Sequence, residues 1–296
     1  MTERIEFYKN RSIGERLSAA IDFLKQNWKV LYKNILTGGL PLAAILGFCL
    51  ASQLGAVSAF GTFGVFLFMF LSFFLSYLSM IYMYSMTGAV LLHYERNQLT
   101  KTTGWSDLND SFFRLAGKTF LISLIVFIPA IAIIAIIVAV FALFAATFGG
   151  GAASFGIVIA IVLFFLLLLG VIFTFTPSLV MLYFPAYFSG KAILQSIKIS
   201  FSLGFKNWGS LFVSVLLTGI ILTVVSIIFS TPFQVITMFS PGNITVISYI
   251  LATLSAIGSM IATPIMVVIF AFQYFSIVEK EEGVSLQSQI EQFENL

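Results

Sequence analysis

Three long blocks of this chain contain no charged side chain, and the charge is confined to four short segments around them. The blocks cover residues 34–94, 119–190 and 207–278, which is 61, 72 and 72 residues. Because a membrane-spanning helix needs about 20 apolar residues, each block is long enough for two spans and a turn. We therefore predict six spans, near residues 35–55, 63–92, 120–146, 153–184, 209–231 and 246–277.

The turn inside each block is predicted from Gly, Pro and small polar residues, at 52–55, 149–151 and 230–243. All 15 Lys and Arg residues lie outside the blocks. Short cytoplasmic loops collect Lys and Arg, so the charged segments are predicted to face the cytoplasm. Both termini are then on the inner side of a bacterial inner membrane, and residues 279–296 form a cytoplasmic tail.

Residues 12–33 follow a helical period ahead of the first block. Ser12 and Glu15 match a capping box, which starts a helix. One face is apolar, with a tryptophan on its edge and lysines on the polar edge, and a helix of this kind should lie in the membrane interface. That face consists of Ile13, Leu17, Ile21, Leu24, Trp28 and Leu31. The pattern recurs at Ile193, Ile197, Phe201 and Trp208, and more weakly at Trp105, Leu108, Phe112, Leu115 and Phe120.

The hairpins repeat as well, because Tyr94, Tyr187 and Tyr274 hold matching places at their ends. The pairs Trp28/Trp208 and Tyr94/Tyr274 share an offset of 180 residues. We therefore predict an all-α membrane protein with six transmembrane helices, built as three parallel repeats of an interfacial amphipathic helix plus a helical hairpin. The repeats are 12–94, 105–187 and 192–274, within a single membrane domain, 1–296. Each repeat inserts in the same sense, so a pseudo-threefold bundle is expected.

Composition narrows the function. The chain is 59% hydrophobic and 9% charged, against roughly 25% charged in soluble domains. The predicted spans carry no Asp, Glu, Lys or Arg, which disfavours ion coupling and charged substrates. The lone His93 and the lone Cys49 have no nearby partners in the sequence for a metal site or a catalytic pair. We expect no catalytic residue, no metal and no cofactor, and the net charge of +3 does not suggest a nucleic-acid partner.

Two sets of residues remain as candidate sites. The first is a lipid interface, in which each lysine gains about 1 kcal/mol from anionic lipid, with topology anchoring as the alternative. It comprises Lys25, Trp28, Lys29, Lys33, Lys198, Lys206 and Trp208. The second is a set of helix kinks at Pro41, Pro129, Pro177 and Pro264. A structural role is favoured for these prolines, and a central cavity at their level is the alternative.

Short motifs connect these parts to a known family. They are Lys25-Gln26-Asn27-Trp28, Phe205-Lys206-Asn207-Trp208 and Ala192-Ile193-Leu194-Gln195-Ser196. The chain resembles uncharacterised bacterial multi-pass proteins related to the membrane domain of some glycerophosphodiester phosphodiesterases. The resemblance implies a membrane module without the hydrolase part, and it supplies no catalytic residue.

The sequence leaves two functions open. The first is a non-enzymatic inner-membrane protein that organises membrane lipids, anionic ones among them, or an unidentified partner protein at the cytoplasmic interface. The alternative is a transporter or channel for a neutral or amphipathic solute, which the repeats and prolines favour. An intramembrane enzyme ranks below both.

Overall fold

The computed structural model describes residues 4–148, 165–166, 169–171, 173–239 and 246–284. Within these ranges the chain forms helices joined by loops, and no strand is present. The helices are α1 (Ile13–Glu95), α2 (Trp105–Phe148), α3 (Phe184–Phe188), α4 (Ile193–Lys206), α5 (Trp208–Phe239) and α6 (Val246–Glu282). Residues 173–180 are also helical and lead through a turn into α3.

Among the residues that the structure describes, six helical segments are long and apolar enough to cross a membrane. They are Ile13–Gln53, Gly61–Glu95, Trp105–Ala132, Leu169–Phe188, Trp208–Phe239 and Val246–Glu282. The predicted fold class, an all-α membrane protein with six transmembrane helices, is confirmed. The predicted turn at 149–151 lies outside the described residues, as does most of the tail at 279–296.

The long helix α1 contains the first two of these segments. Ser12 caps it, since its hydroxyl accepts from the Glu15 amide while the Glu15 carboxylate accepts from the Ser12 amide, as the capping box predicts. The helix then runs without a break through Pro41 to Gly61, whose φ of 62° and ψ of −160° are not helical. The predicted turn at 52–55 is therefore wrong. The break falls at Gly61 because glycine adopts positive φ without a Cβ clash.

The amphipathic residues do not all form separate helices. In α1 and α2 they continue directly into a span, whereas α4 ends at Lys206, Asn207 caps it, and α5 starts at Trp208. The segment Ile13–Gln53 has 41 residues. At about 1.5 Å per residue it is about 60 Å long, against a hydrocarbon core of about 30 Å. About half of it therefore extends beyond the hydrocarbon core.

Prolines lie inside the helices without ending them. Pro41, Pro129 and Pro264 are internal to α1, α2 and α6, and Pro177 lies in the helical turns before α3. Pro177 and Pro264 are buried, and Pro41 and Pro129 are exposed. The kinks themselves stay a prediction. The turn predicted at 230–243 begins too early, because α5 continues through Pro232 to Phe239. A membrane helix accepts Pro when neighbouring groups satisfy the freed carbonyl.

The described residues divide into two compact units, each with its own packing. In the unit formed by residues 4–117 and 213–284, α1 packs along α6. The contact is close at Gly47, where an added Cβ would lie 2.5 Å from the Thr253 Cα. In the unit Lys118–Phe212, Gly204 of α4 makes a similar approach, since its Cβ would lie 2.5 Å from the Ser178 Cα. Small residues allow such backbone contacts between membrane helices.

Candidate functional site

Three helices of the protein begin with the same pattern of burial. The fourth, eighth and eleventh residues of α1, α2 and α4 are all buried, with at most 8% of the residue exposed. They are Arg16, Ala20 and Phe23 in α1, Leu108, Phe112 and Leu115 in α2, and Ser196, Ser200 and Leu203 in α4. This spacing places each trio on one helix face. We name residues 13–33, residues 105–118 and α4 the first, second and third amphipathic segments.

The buried face of the first segment packs on α6. The Phe23 and Phe272 rings lie 6.0 Å apart between centroids. The Arg16 guanidinium donates to Gln273 Oε1 at 3.0 Å and to the Arg11 carbonyl at 2.8 Å. Because a buried guanidinium loses its hydration, these charge-assisted hydrogen bonds are needed to offset the loss.

The other two segments also pack on membrane-spanning helices. In the second, Trp105 and Phe112 lie against Tyr82 of α1, with ring centroids 6.1 and 5.6 Å apart. In the third, the Ser200 hydroxyl lies 3.1 Å from the Met181 carbonyl oxygen. Each segment is thus fixed by its protein-facing side, which leaves the opposite sides for the surroundings.

Most of the apolar face predicted for the first segment lies beside the buried face. Ile13, Leu17, Ile21 and Leu24 are half-buried, and Trp28 is 53% exposed. The last residue of the predicted face, Leu31, is instead fully buried. At about 100° per residue, this apolar stripe lies about a quarter-turn from the buried trio. The helix therefore has three stripes, which are protein-facing, apolar and charged.

The third segment has the same division, and the second does not. Ile193, Ile197 and Phe201 are half-buried, while Leu194 is 70% exposed. In the second segment, by contrast, the predicted face supplies the buried trio, so it points into the protein. Two of the three predicted interfacial faces thus lie largely at the protein surface.

The predicted lysines lie on the exposed sides of these two segments. Lys25, Lys29, Lys33, Lys198 and Lys206 are all exposed. Lys29 Nζ lies 5.7 Å from the centroid of the Trp28 ring, and Lys25 Nζ lies 3.6 Å from Asp22 Oδ1.

The two predicted tryptophans differ. Trp28 is exposed, whereas Trp208 is half-buried and stacks on Phe212 with ring centroids 4.9 Å apart. Trp208 therefore belongs to the packing of its own unit more than to the surface.

Sequence reasoning missed a second set of basic residues, which contact the C-terminal ends of spans. Arg4 Nη2 donates to the Tyr94 and Glu95 carbonyls at 2.5 and 2.9 Å. Lys118 Nζ donates to the Ala186 carbonyl at 2.6 Å. Cations are favourable there because the last carbonyls of a helix lack intrahelical partners and carry partial negative charge. No local signal marks Arg4, whose acceptors are 90 and 91 residues away.

The tyrosines that marked the predicted repeat lie in related surroundings. The Tyr94 hydroxyl accepts from the Ile5 amide at 2.9 Å. The Tyr187 hydroxyl is hydrogen-bonded to Thr119, and Tyr274 is 1% exposed. Each ring thus lies near the C-terminal end of a span and is held by the protein.

Two titratable groups that precede α1 are perturbed by burial. Desolvation raises the pKa of Tyr8, and the nearby Glu95 carboxylate adds to the rise. Desolvation lowers the pKa of Arg11. Both shifts follow from the packing of the residues before α1 against the protein, which removes part of their water.

The pockets beside the residues that precede α1 are open to solvent and are lined by side chains of both charges. One of about 430 Å³ is lined by Arg4, Ile5, Glu6, Phe7, Tyr8 and Glu95. Within the described ranges, no three His, Cys, Asp or Glu residues are grouped so that they could hold a metal ion.

Comparisons with protein-family models, with curated proteins and with solved structures find no match to this chain.

Proposed function

We propose that this chain is a non-enzymatic multi-pass protein of the bacterial inner membrane that organises anionic lipid at the cytoplasmic interface. The observation that carries the proposal is the surface of the first and third amphipathic segments. On each, an apolar stripe and exposed lysines lie side by side on a helix whose third side is fixed to the protein. A helix with these stripes binds at the level of lipid headgroups.

The first segment fits a headgroup layer in detail. Trp28 is exposed beside the charged stripe, and tryptophan favours this depth because its ring is apolar and its N–H is polar. Lys25, Lys29 and Lys33 can extend their apolar stems along the interface and present their ammonium groups to phosphates.

The third segment adds Lys198 and Lys206 beside exposed Leu194 and Phe205. In the proposed topology both segments face one leaflet, with both termini cytoplasmic, because the Lys and Arg residues lie in the segments before, between and after the uncharged blocks. At about 1 kcal/mol for each lysine, the small gains from five sites add.

The equal burial of the fourth, eighth and eleventh residues in three helices supports the proposed threefold repeat. The resemblance to the membrane domain of glycerophosphodiester phosphodiesterases stays part of this proposal. A partner protein at the same interface is the other occupant that the surface would suit.

The test replaces Lys25, Lys29, Lys33, Lys198 and Lys206 together by Gln. We expect native mass spectrometry of the purified protein to show at least about tenfold less bound anionic lipid, because the summed attraction of the five lysines to anionic headgroups is lost. The matched control replaces four exposed lysines outside the two segments, Lys9, Lys101, Lys191 and Lys280.

If the folded quintuple variant retains as much anionic lipid as the parent protein and the control, the five lysines are topology anchors only. The alternative, a transporter or channel for a neutral or amphipathic solute, would then be favoured. The observation that favours a transporter or channel is the burial of Pro177 and Pro264 within spans. Swelling of proteoliposomes in a neutral polyol, compared with protein-free liposomes, tests that alternative directly.

A further inference from the structure

We propose that residues 4–12, here named the N-terminal strap, are a latch. The latch joins the first amphipathic segment to the C-terminal ends of α1 and α6 through side-chain contacts. At the third segment, the polypeptide backbone makes the equivalent connection to the preceding span. Three groups of contacts carry this inference.

The first group holds the start of the strap to α1. Arg4 donates to the carbonyls of Tyr94 and Glu95, the last two residues of that helix. The Arg4 guanidinium also lies 5.3 Å from the centroid of the Tyr94 ring. The Ile5 amide donates to the Tyr94 hydroxyl at 2.9 Å. A single tyrosine thus receives contacts from two successive strap residues.

The second group is an aromatic plug in the middle of the strap. Phe7 is 6% exposed although it lies outside any helix. Its ring centroid lies 4.5 Å from that of Phe275 and 5.2 Å from that of Phe272, both in α6. It also lies 5.3 Å from Tyr94 of α1. The ring therefore joins the ends of two spans, and its removal would leave a cavity between them.

The third group fixes the end of the strap to α6. The Arg11 amide donates to Ser276 Oγ at 3.0 Å. One turn into α1, the buried Arg16 donates to Gln273 Oε1 at 3.0 Å. The capping box at Ser12 then starts α1. The first segment is thus anchored at its beginning as well as along its buried face.

A covalent junction elsewhere in the chain has the same form. After α3, the chain passes through Ser189, Gly190 and Lys191 to Ala192, which caps α4. The offset of 180 residues that relates Trp28 to Trp208 places Arg11 at Lys191. The 87 residues between Tyr187 and Tyr274 place Ser276 at Ser189. The hydrogen-bonded Arg11 and Ser276 therefore correspond to Lys191 and Ser189, which are separated by a single residue, Gly190, at the other junction.

The latch has a consequence that rests on the proposed function. The strap sets where α1 begins, and hence where the charged stripe of the first segment lies. A released strap would leave that stripe without its N-terminal anchor, so we expect weaker retention of anionic lipid from the first segment.

The first test is a cross-link between Arg11→Cys and Ser276→Cys in a Cys49→Ala background. Mild oxidation should form the disulfide in most molecules, because the two residues are in hydrogen-bond contact and a disulfide requires close Cα atoms. The control pairs Arg11→Cys with Ser259→Cys, an exposed residue further back along α6, and should not cross-link. Mass spectrometry of the digested protein reads both. Failure of the first pair in folded protein would overturn the latch.

The second test is the plug variant Phe7→Ala, read by trypsin cleavage after Lys9 and Arg11. We expect cleavage at least about tenfold faster than in the parent, since loss of the plug opens the strap. The control Leu194→Ala, at a surface site, should not change the rate. An unchanged rate in Phe7→Ala contradicts the latch.

Lipid retention in Phe7→Ala separates the latch from the lipid function. Faster cleavage with unchanged anionic lipid would keep the latch and overturn its link to lipid. Should the quintuple lysine variant also keep its lipid, the proposed function fails while the latch stands.

Discussion

The first and third amphipathic segments begin alike and end differently. Both start at an extended cap residue, Ser12 or Ala192, and both bury their fourth, eighth and eleventh residues. Yet the first continues as helix into its span, whereas the third ends at Lys206 and is capped by Asn207. The two segments show that one burial pattern is compatible with a continuous helix and with a broken one.

The cause of the difference lies in the residues around the asparagine. Asn27 and Asn207 both donate to the carbonyl four residues earlier, at 3.0 and 3.3 Å. The asparagine is therefore not the reason why one helix continues and the other breaks. Gly204 and Gly209 flank Asn207, while Leu24 and Lys29 stand at the matching places around Asn27. Each glycine costs a helix about 1 kcal/mol relative to alanine. The third segment therefore has a weak point that the first lacks.

The two segments also differ in what their fourth residue does. The Arg16 guanidinium donates to Gln273 of α6, whereas the Ser196 hydroxyl donates locally, to the carbonyl of Ala192 at 3.0 Å. The first segment is thus held by contacts of long side chains with α6, and the third by close backbone approach at Gly204. The predictions below separate these two ways of packing.

The largest effect is expected at Phe23, the eleventh residue of α1. Phe23→Ala should lower the free energy of unfolding by about 3–5 kcal/mol, because a fully buried ring is replaced by a cavity. The equivalent Leu203→Ala in α4 should cost about 2–4 kcal/mol. Titration of the protein in mixed micelles with a denaturing detergent measures both.

The control for this pair is Leu194→Ala, at a residue that is 70% exposed. Its effect should stay within about 0.5 kcal/mol, as for other surface changes. If Leu194→Ala costs as much as Phe23→Ala, the assignment of buried and exposed faces is wrong.

An intermediate effect is expected at the two glycines that flank Asn207, Gly204 in α4 and Gly209 at the start of α5. Gly204→Ala should destabilise by about 1–3 kcal/mol, since the new Cβ would lie 2.5 Å from the Ser178 Cα and the helices must shift. Gly209→Ala is the matched control, because nothing lies within 4 Å of its Cβ position. There alanine should stabilise by up to about 1 kcal/mol through helix propensity.

Thermal unfolding of the two variants in one detergent gives the comparison. Opposite signs would show that Gly204 is kept for contact and that Gly209 only weakens the helix. Equal signs would mean that the close approach to Ser178 does not constrain α4.

The spans were predictable because they depend on local composition. Uncharged blocks of this length have few alternatives to membrane helices, and six apolar helical segments are present. The helix start at Ser12 was predictable for the same reason, since the capping box is complete within four residues. The break at Gly61 was not, because several Gly and Ser residues nearby offered equally good turns.

Long-range contacts could not be predicted from the sequence. Nothing near Arg16 indicates that Gln273 will receive its guanidinium, 257 residues further on. A helical wheel assigns Arg16 to the polar side and leaves the buried stripe unrecognised. The exposure of the lysines was easier to predict, because the solvation of a surface cation depends mainly on its position around the helix and not on a distant residue.

The smallest effect is expected at the surface pair of the first segment. Lys25 and Asp22 are 3.6 Å apart with side chains 73% and 56% exposed, and water screens such a pair. Lys25→Gln and Asp22→Asn should each change the free energy of unfolding by less than about 0.5 kcal/mol. Their effects on lipid should be opposite in sign, because the first removes a cation from the charged stripe and the second removes the anion beside it. Native mass spectrometry at low ionic strength should show slightly less anionic lipid for Lys25→Gln and slightly more for Asp22→Asn, and added salt should reduce both differences. A loss of stability above about 1 kcal/mol in Lys25→Gln would contradict this view, since it would make the pair a structural contact of the first segment and not part of its lipid-facing surface.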